Sequence, residues 1–360
     1  MQGSTNPPKL SVKTVLLPII GLVAFFLYLL LFNVDIPQIL ATAQRANPLL
    51  FTAAVLVSLV EVFFYAASWR AILNFLSVKI SVVRSYLYVW YGIFMDIVIP
   101  AESISGELCR VYLVNREQDG TSGKAVASVV TQRLLGMSMN VIFLVAGIGL
   151  LFSEARVDPL IFNTILFFAA AITALIAVII LVSAKETWSL KAIHAAIRVG
   201  EFITRGKWKR LNQLKEEAVR DAKIFHDSMK AFIHRPKTLI LPSLLVGLNW
   251  VCSLVVPYLV FLSLGFQVPL SALFITSAIV VAVKSIPIGI PFEVGLPEIT
   301  MTTLFTSLLG IQYAGICATA TILSRIITLW LRFAIGFAAQ QWVELKPVCF
   351  PQTCPPAEKP

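Results

Sequence analysis

Long uninterrupted apolar runs constrain this chain more than any other feature of its sequence. Six of them contain about 20 residues or more, enough for an α-helix to cross the ~30 Å hydrocarbon core of a bilayer. Only 13% of the residues are charged, about half the share found in soluble domains. The sequence therefore predicts an all-α, polytopic membrane helix bundle. The six predicted spans cover residues 14–34, 48–68, 125–152, 159–184, 238–264 and 314–343.

Three further apolar windows, at residues 85–99, 270–286 and 298–310, are too short or too broken to span a bilayer alone. Proline, glycine and glutamate interrupt the chain beside them. Such breaks are tolerated at membrane depth only where the backbone is buried in protein or lines a wet cavity. We therefore predict a bundle of about eight helices with two re-entrant or broken hairpins.

The distribution of Lys and Arg sets the predicted orientation. The net charge is +10, and residues 185–237 hold 13 Lys/Arg against 6 Asp/Glu. Cytoplasmic loops carry an excess of Lys and Arg, which places this loop and both termini inside the cell, in the inner (cytoplasmic) membrane, and accounts for the charge without a nucleic-acid partner. Hairpin 85–124 then enters from the cytoplasm, and hairpin 270–310 enters from the opposite face.

One transmembrane domain is predicted over residues 1–343, and 344–360 is predicted to be a disordered cytoplasmic tail. Its repeat halves are about 48–184 and 238–343, around the basic loop 185–237. An amphipathic stretch from Trp208 to Phe232 lies in this loop. Two interpretations stay open for it: a helix that lies on anionic lipid or caps the bundle, or a helix packed on its neighbours.

The two hairpins resemble each other in sequence. Residues 97–110 read IVIPAESISGELCR, and residues 285–300 read SIPIGIPFEVGLPEIT. Each contains Pro, Glu, Gly and a second Glu that opens a helix, and an arginine follows that Glu after 26 or 27 residues. Matched spacing with opposite orientation favours an inverted-topology repeat, a common plan among transporters, over chance similarity of two short stretches. The two pairs are Glu107 with Arg133 and Glu298 with Arg325.

Ionisable side chains at membrane depth cost roughly 2.5–3.5 kcal/mol each on insertion scales. One interpretation is structural, with each glutamate neutralised by its arginine. The favoured one is a central polar cavity, into which helix N-termini after Gly106 and Pro297 project N–H groups that bind a phosphate head group. Glu61 and Asp96 are given less weight, because either could lie near an interface. The predicted substrate-binding residues are Glu102, Glu107, Arg110, Arg133, Lys284, Glu293, Glu298 and Arg325.

Enzymatic motifs are missing from the sequence. It contains no GxSxG, HExxH, Walker A or GxGxxG pattern, and its three histidines all lie in loop 185–237 without metal-ligand partners. We therefore expect a protein that is not an enzyme, with no metal and no cofactor. Two alternatives stay open: a membrane-embedded transferase or accessory subunit in lipid-linked glycan or phospholipid-modification pathways, and a membrane scaffold whose loop binds a partner.

The hairpin motifs resemble those of the lysylphosphatidylglycerol synthase transmembrane family, also described as flippase-like membrane proteins. The resemblance is carried by PAESISGELCR (100–110), SVVTQR ending at Arg133, PIGIPFEVGLPE (287–298) and ATATILSR ending at Arg325, and it covers about residues 14–343. It implies movement of an anionic or aminoacylated lipid, or of a polyprenyl-phosphate-linked intermediate, between leaflets.

The same resemblance implies partners and one absence. Membrane lipids with a phosphate-bearing head group are the expected ligands, and a homo-oligomer or a pathway enzyme stays open as a protein partner. Full-length synthases of this family carry a soluble aminoacyl-transferase domain after the membrane part. This chain has 17 residues after residue 343, so we expect no synthase activity. Pro291, Phe292 and Pro297 stand where small residues are common in the family's second loop.

Overall fold

The computed structural model describes residues 41–99, 104–153, 211–284 and 295–345, together with isolated helical positions between 163 and 178. Within these residues the chain forms ten α-helices and no β-strand, so the predicted all-α class is confirmed. Predicted span 14–34, most of span 159–184, the tips of both hairpins and the C-terminal tail lie outside the described residues.

Short turns join most of the helices, and two 3₁₀ turns and one π-helical segment adjoin them. The 3₁₀ turns are Pro236–Leu239 and Ile311–Tyr313, and the π-helical segment is Ile326–Leu331. The α-helices are α1 (Pro48–Phe75), α2 (Val82–Val98), α3 (Ile104–Glu117), α4 (Ser122–Ser153), α5 (Leu211–His234), α6 (Ile240–Ser263), α7 (Leu270–Lys284), α8 (Leu296–Leu309), α9 (Ala314–Arg325) and α10 (Arg332–Leu345).

Among the residues that the structure describes, four helical segments are long and apolar enough to cross a membrane. They are α1, residues 122–151 of α4, Pro236–Ser263, and Ile311–Leu345, which joins α9 to α10 through the π-helical segment. They coincide with four of the six predicted spans. Helices α2, α7 and α8 contain 17, 15 and 14 residues, fewer than the ~20 that a span needs, as their short apolar windows predict.

Helices α1 and α6 form an antiparallel pair. At one end, the Asn47 N–H donates to the Ser263 carbonyl oxygen at 2.7 Å. At the other end, the Ser68 hydroxyl donates to the Pro242 carbonyl oxygen at 3.2 Å. Because a bundle helix is stabilised mainly by tertiary packing, this long contact makes α1 a fixed support for the helices around it.

Helices α2 and α3 fold back on each other as a helical hairpin. An Arg84–Glu117 ion pair of 2.5 Å closes the open end, and Gly106 packs against the backbone of Gly92 near the tip. The fold-back of the first predicted hairpin is therefore present. Its entry into the membrane from one face stays a prediction.

Helix α5 packs on its neighbours over its described side chains, as the second interpretation of the amphipathic stretch expects. The Phe232 ring lies 5.0 Å from the Phe75 ring of α1, and the Thr131 hydroxyl of α4 lies 3.5 Å from the Met229 sulfur. The helices cross at Gly123, where an added Cβ would lie 2.5 Å from a carbonyl oxygen of α5. Apolar side chains of α5 between residues 220 and 234 thus pack against α1 and α4.

The two halves share lengths as well as motifs. Helices α3 and α8 each contain 14 residues, and each is followed by a four-residue connection to the next helix. Arg133 is the twelfth residue of α4, and Arg325 is the twelfth residue of α9. These parallels support an internal repeat, while the inverted orientation of its halves stays a prediction.

Cysteine labelling tests that orientation through the two equivalent connections. On a background with the native cysteines replaced by serine, we expect a membrane-impermeant maleimide to label Gln312→Cys in intact cells. Asp119→Cys is expected to react only after permeabilisation, because its connection is predicted to be cytoplasmic. Both positions are exposed. Labelling of both from the same side would exclude the inverted repeat.

Candidate functional site

The first predicted ion pair is present between α3 and α4. Arg133 Nη1 lies 3.1 Å from Glu107 Oε1 and 3.2 Å from Glu107 Oε2. The side chains keep 28% and 19% of their accessible surface, respectively. Both carboxylate oxygens of Glu107 contact the same guanidinium nitrogen of Arg133. The pair is therefore only partly buried.

The helix N-terminus beside this pair is occupied by the protein itself. Helix α3 begins at Ile104, earlier than predicted, so Gly106 lies within its first turn. The Gly106 N–H donates to Asp96 Oδ1 at 2.6 Å, and the Ser105 hydroxyl donates to the same oxygen at 3.0 Å. A carboxylate of α2 thus takes the position that we predicted for a phosphate, and a helix N-terminus favours such a charge.

Arg110 lies one turn beyond Glu107 and is 4% exposed. Its Nη1 donates to Gln132 Oε1 at 2.8 Å, and its Nη2 donates to the Tyr65 hydroxyl at 3.3 Å. The guanidinium carbon lies 5.3 Å from the centroid of the Tyr65 ring and 5.1 Å from that of Trp69, within cation–π range. The ion pairs formed within the described residues do not include Arg110.

The second predicted ion pair joins α8 to the end of α9 and is closed to solvent. Arg325 Nε lies 2.5 Å from Glu298 Oε1, and the side chains are 5% and 0% exposed. Glu298 Oε2 accepts the Gly295 N–H at 2.7 Å, because Glu298 is the third residue of α8 and can reach back to cap it. Here too, a carboxylate of the chain occupies the helix N-terminus predicted to bind a phosphate.

A third ion pair, which the motifs do not predict, joins α1 to α10. Arg332 Nη2 lies 2.6 Å from Glu61 Oε2 and 3.3 Å from the Ser58 hydroxyl. Lys284, at the end of α7, lies close enough to Glu61 to interact with it electrostatically. Glu61 therefore gathers two cations from the second half of the chain.

Helix α1 links the two halves of the site through one face. Ser58, Glu61, Tyr65 and Trp69 recur at the spacing of one helical face. Glu61 contacts Arg332, Tyr65 contacts Arg110, and the Trp69 indole N–H donates to the Ser128 hydroxyl of α4 at 2.9 Å. A polar stripe every three or four residues in an apolar helix is the sequence signal that could have found this face.

The structure thus places six of the eight predicted site residues. Glu107, Arg110 and Arg133 lie together on α3 and α4; Glu298 and Arg325 form their own pair; Lys284 lies near Glu61. Glu102 and Glu293 lie outside the described residues. The described part of the chain also holds no cluster of three His, Cys, Asp or Glu side chains able to bind a metal ion.

Comparison with known proteins agrees with the hairpin motifs. A family model described as the lysylphosphatidylglycerol synthase TM region matches residues 15–336. A UPF0104 membrane protein of Pyrococcus horikoshii is 26% identical over 332 residues, which is 90% of this chain and 95% of the relative. A UPF0104 membrane protein of Methanocaldococcus jannaschii is 23% identical over 339 residues, which is 92% of this chain and 95% of that relative. No solved structure matches the chain.

Proposed function

The chain belongs to the lysylphosphatidylglycerol synthase transmembrane family, and on that premise we propose that it moves a lipid between the leaflets of the membrane. The proposed substrate is an anionic, aminoacylated or polyprenyl-phosphate-linked lipid. Its phosphate group would bind at the site on α1, α3 and α4, and the lipid tails would stay in the hydrocarbon region. The family itself supports a lipid-related function, and the site supports the phosphate.

The buried guanidinium of Arg110 is the observation that carries this proposal. A buried charge is expensive unless it is paired, yet the partners of Arg110 are an amide, a phenol and two aromatic faces. These neutral groups orient the guanidinium without cancelling its charge. A phosphate would supply the missing anion, and arginine binds phosphate well because its planar donors match two phosphate oxygens.

The neighbouring Glu107–Arg133 pair supplies a route to this charge. Arg133 follows Gln132, the hydrogen-bond partner of Arg110, so the two guanidinium groups approach the same part of α4. A phosphate that displaced Glu107 from Arg133 would exchange one anion for another. Such an exchange avoids leaving a bare charge in the membrane, which is the main cost of moving an ionic head group there.

The two halves also differ in accessibility, as a transporter with alternating access requires. The Glu107–Arg133 side chains are about one fifth to one quarter exposed, whereas the Glu298–Arg325 side chains are nearly inaccessible. In inverted-repeat transporters, one repeat opens while the other closes around a shared site. This asymmetry fits a state in which the first half is open.

We expect Arg110→Gln to lower the rate of anionic-lipid exchange at least tenfold. A hydrogen bond to a charged group contributes about 1.5–3 kcal/mol, and 1.4 kcal/mol corresponds to a factor of ten. The measurement is dithionite quenching of fluorescent phosphatidylglycerol in proteoliposomes that contain the purified protein. Arg84→Gln is the matched control, because it removes an exposed arginine from an ion pair at the far end of α2.

Equal exchange rates in the two variants would contradict the assignment of Arg110. Size-exclusion chromatography and circular dichroism of both variants separate a binding defect from misfolding. Exchange that is absent even in the unaltered protein, with consumption of a lipid-linked donor in the same vesicles, would favour the transferase alternative. Mass spectrometry of lipid that copurifies with the protein would then identify the phosphate-bearing species.

A further inference from the structure

Helices α8 and α9 pair in an antiparallel register that two contacts define. Glu298 binds Arg325 deep in the bundle. Eight residues later on α8, the Thr306 side chain lies beside that of Cys317, which is eight residues earlier on α9. The Thr306 hydroxyl makes no hydrogen bond within the described part of the chain. The two contacts are separated by eight residues, or about two turns, on each helix. The antiparallel register is therefore the same along the whole segment between them.

This register places Thr302 opposite Thr321, midway between those two contacts. Neither hydroxyl has a hydrogen-bond partner within the described part of the chain. By contrast, the hydroxyls of Thr300 on α8 and Thr319 on α9 donate to carbonyl oxygens of their own helix at 2.7 and 2.8 Å. Thr302 and Thr321 form no such bond, either to their own helices or to each other.

These oxygens are also sealed inside the bundle. Thr321 is fully buried, Cys317 beside it is 0% exposed, and the Thr302 oxygen has no accessible surface. The hydroxyl of Ser324, which precedes Arg325, is likewise buried without a partner among the described residues. Buried polar groups in proteins are paired with protein or with ordered water, and several unpaired hydroxyls along one interface would each oppose folding.

We propose that the interface between α8 and α9 binds a file of ordered water molecules, running from Thr306 and Cys317 to the Glu298–Arg325 pair. Water suits the site because a hydroxyl both donates and accepts, so each molecule can bridge two of them. A charged ligand does not suit it, since the carboxylate and the guanidinium at its deep end already neutralise each other.

The water file lowers the free-energy cost of separating the Glu298 and Arg325 side chains. In a dry interface, parting these side chains would leave two uncompensated charges, whereas water molecules beside them can solvate both. Any movement of α8 against α9 needs that solvation. This inference concerns the second half of the chain and is independent of which lipid the first half binds.

Radiolytic hydroxyl-radical labelling tests the proposal, because radicals formed from bound water oxidise the side chains next to it. We expect Cys317 to be oxidised in the purified protein although it is 0% exposed. In the double variant Thr302→Val/Thr321→Val, the rate of Cys317 oxidation should fall several-fold, because valine keeps the shape of threonine and removes its hydroxyl. Peptide mass spectrometry measures the rates.

The matched control is Thr300→Val/Thr319→Val, which removes two hydroxyls that bond their own helices. Its Cys317 oxidation rate should equal that of the unaltered protein. An unoxidised Cys317, or equal losses in both double variants, would overturn the water file. Thermal unfolding gives a second measurement: a dry interface predicts that Thr302→Val/Thr321→Val raises the melting temperature, whereas a hydrated one predicts no rise.

Discussion

Glu298→Gln is expected to lower the free energy of unfolding by about 3–5 kcal/mol, the cost of removing one partner from a buried ion pair. Glu298 and Arg325 are 0% and 5% exposed, so the remaining guanidinium would stay buried beside a neutral amide. The amide also replaces the carboxylate that caps α8 at Gly295. Reversible unfolding in mixed detergent micelles, titrated with a denaturing detergent, measures the change.

A double variant distinguishes the cost of leaving one buried charge unpaired from the cost of changing the side chain at position 298. Glu298→Gln combined with Arg325→Gln removes both charges, and replacing a whole buried pair is often nearly neutral. We therefore expect the double variant to recover much of the stability lost in Glu298→Gln. Glu107→Gln is the comparison in the first half, where both partners are partly exposed, and exposed pairs contribute only about 0.2–1 kcal/mol. An equal loss in both halves would contradict the buried character of the second pair.

Gly106→Ala is expected to destabilise the first hairpin by about 1–3 kcal/mol, the usual range for overpacking. A methyl group on Gly106 would overlap the Asp96 carboxylate and the carbonyl oxygen of Gly92. Helices α2 and α3 would have to separate, and the hydrogen bond from the Gly106 N–H to Asp96 would lengthen. Because α3 carries Glu107 and Arg110, lipid exchange should fall together with stability.

Gly136→Ala in α4 is the matched control for this change. An added Cβ at Gly136 has no neighbouring atom within 4 Å, and alanine is preferred to glycine inside a helix by about 0.5–1 kcal/mol. We expect this variant to be as stable as the unaltered protein, or slightly more stable. If Gly106→Ala behaved in the same way under thermal unfolding, the close approach of α2 and α3 would be refuted.

The long spans could be predicted from the sequence because hydrophobicity over 20 residues depends on composition alone. The short helices also matched their apolar windows closely. Among the long spans, α1 extends well beyond its apolar window, which ends at residue 68, whereas the helix continues to Phe75. Arg70 ends the apolar window but not the helix. Its Nε–H donates to the Ile80 carbonyl oxygen at 2.9 Å, so the charged side chain has a partner at the end of α1. Hydropathy indicates which residues lie in lipid, whereas the end of a helix depends on local hydrogen bonds and backbone conformation.

The ion pairs of the site were predicted only where both partners belong to a repeated motif. Nearly equal spacing in the two halves pointed to Glu107 with Arg133 and to Glu298 with Arg325. The Glu61–Arg332 pair joins residues 271 positions apart and occurs once, so no repeat could reveal it. Arg110 was predicted as a ligand, but its neutral partners Tyr65 and Gln132 follow from packing between α1, α3 and α4.

The π-helical segment Ile326–Leu331 has a consequence for chain length. In an uninterrupted α-helix, Arg325 and Arg332 would lie on the same face, because residues seven apart do. A π turn takes up one residue more than an α turn, and each residue advances an α-helix by about 100°. The extra residue therefore turns Arg332 toward Glu61 while Arg325 faces Glu298. Relatives that keep both pairs should vary in sequence over these six positions but neither gain nor lose one.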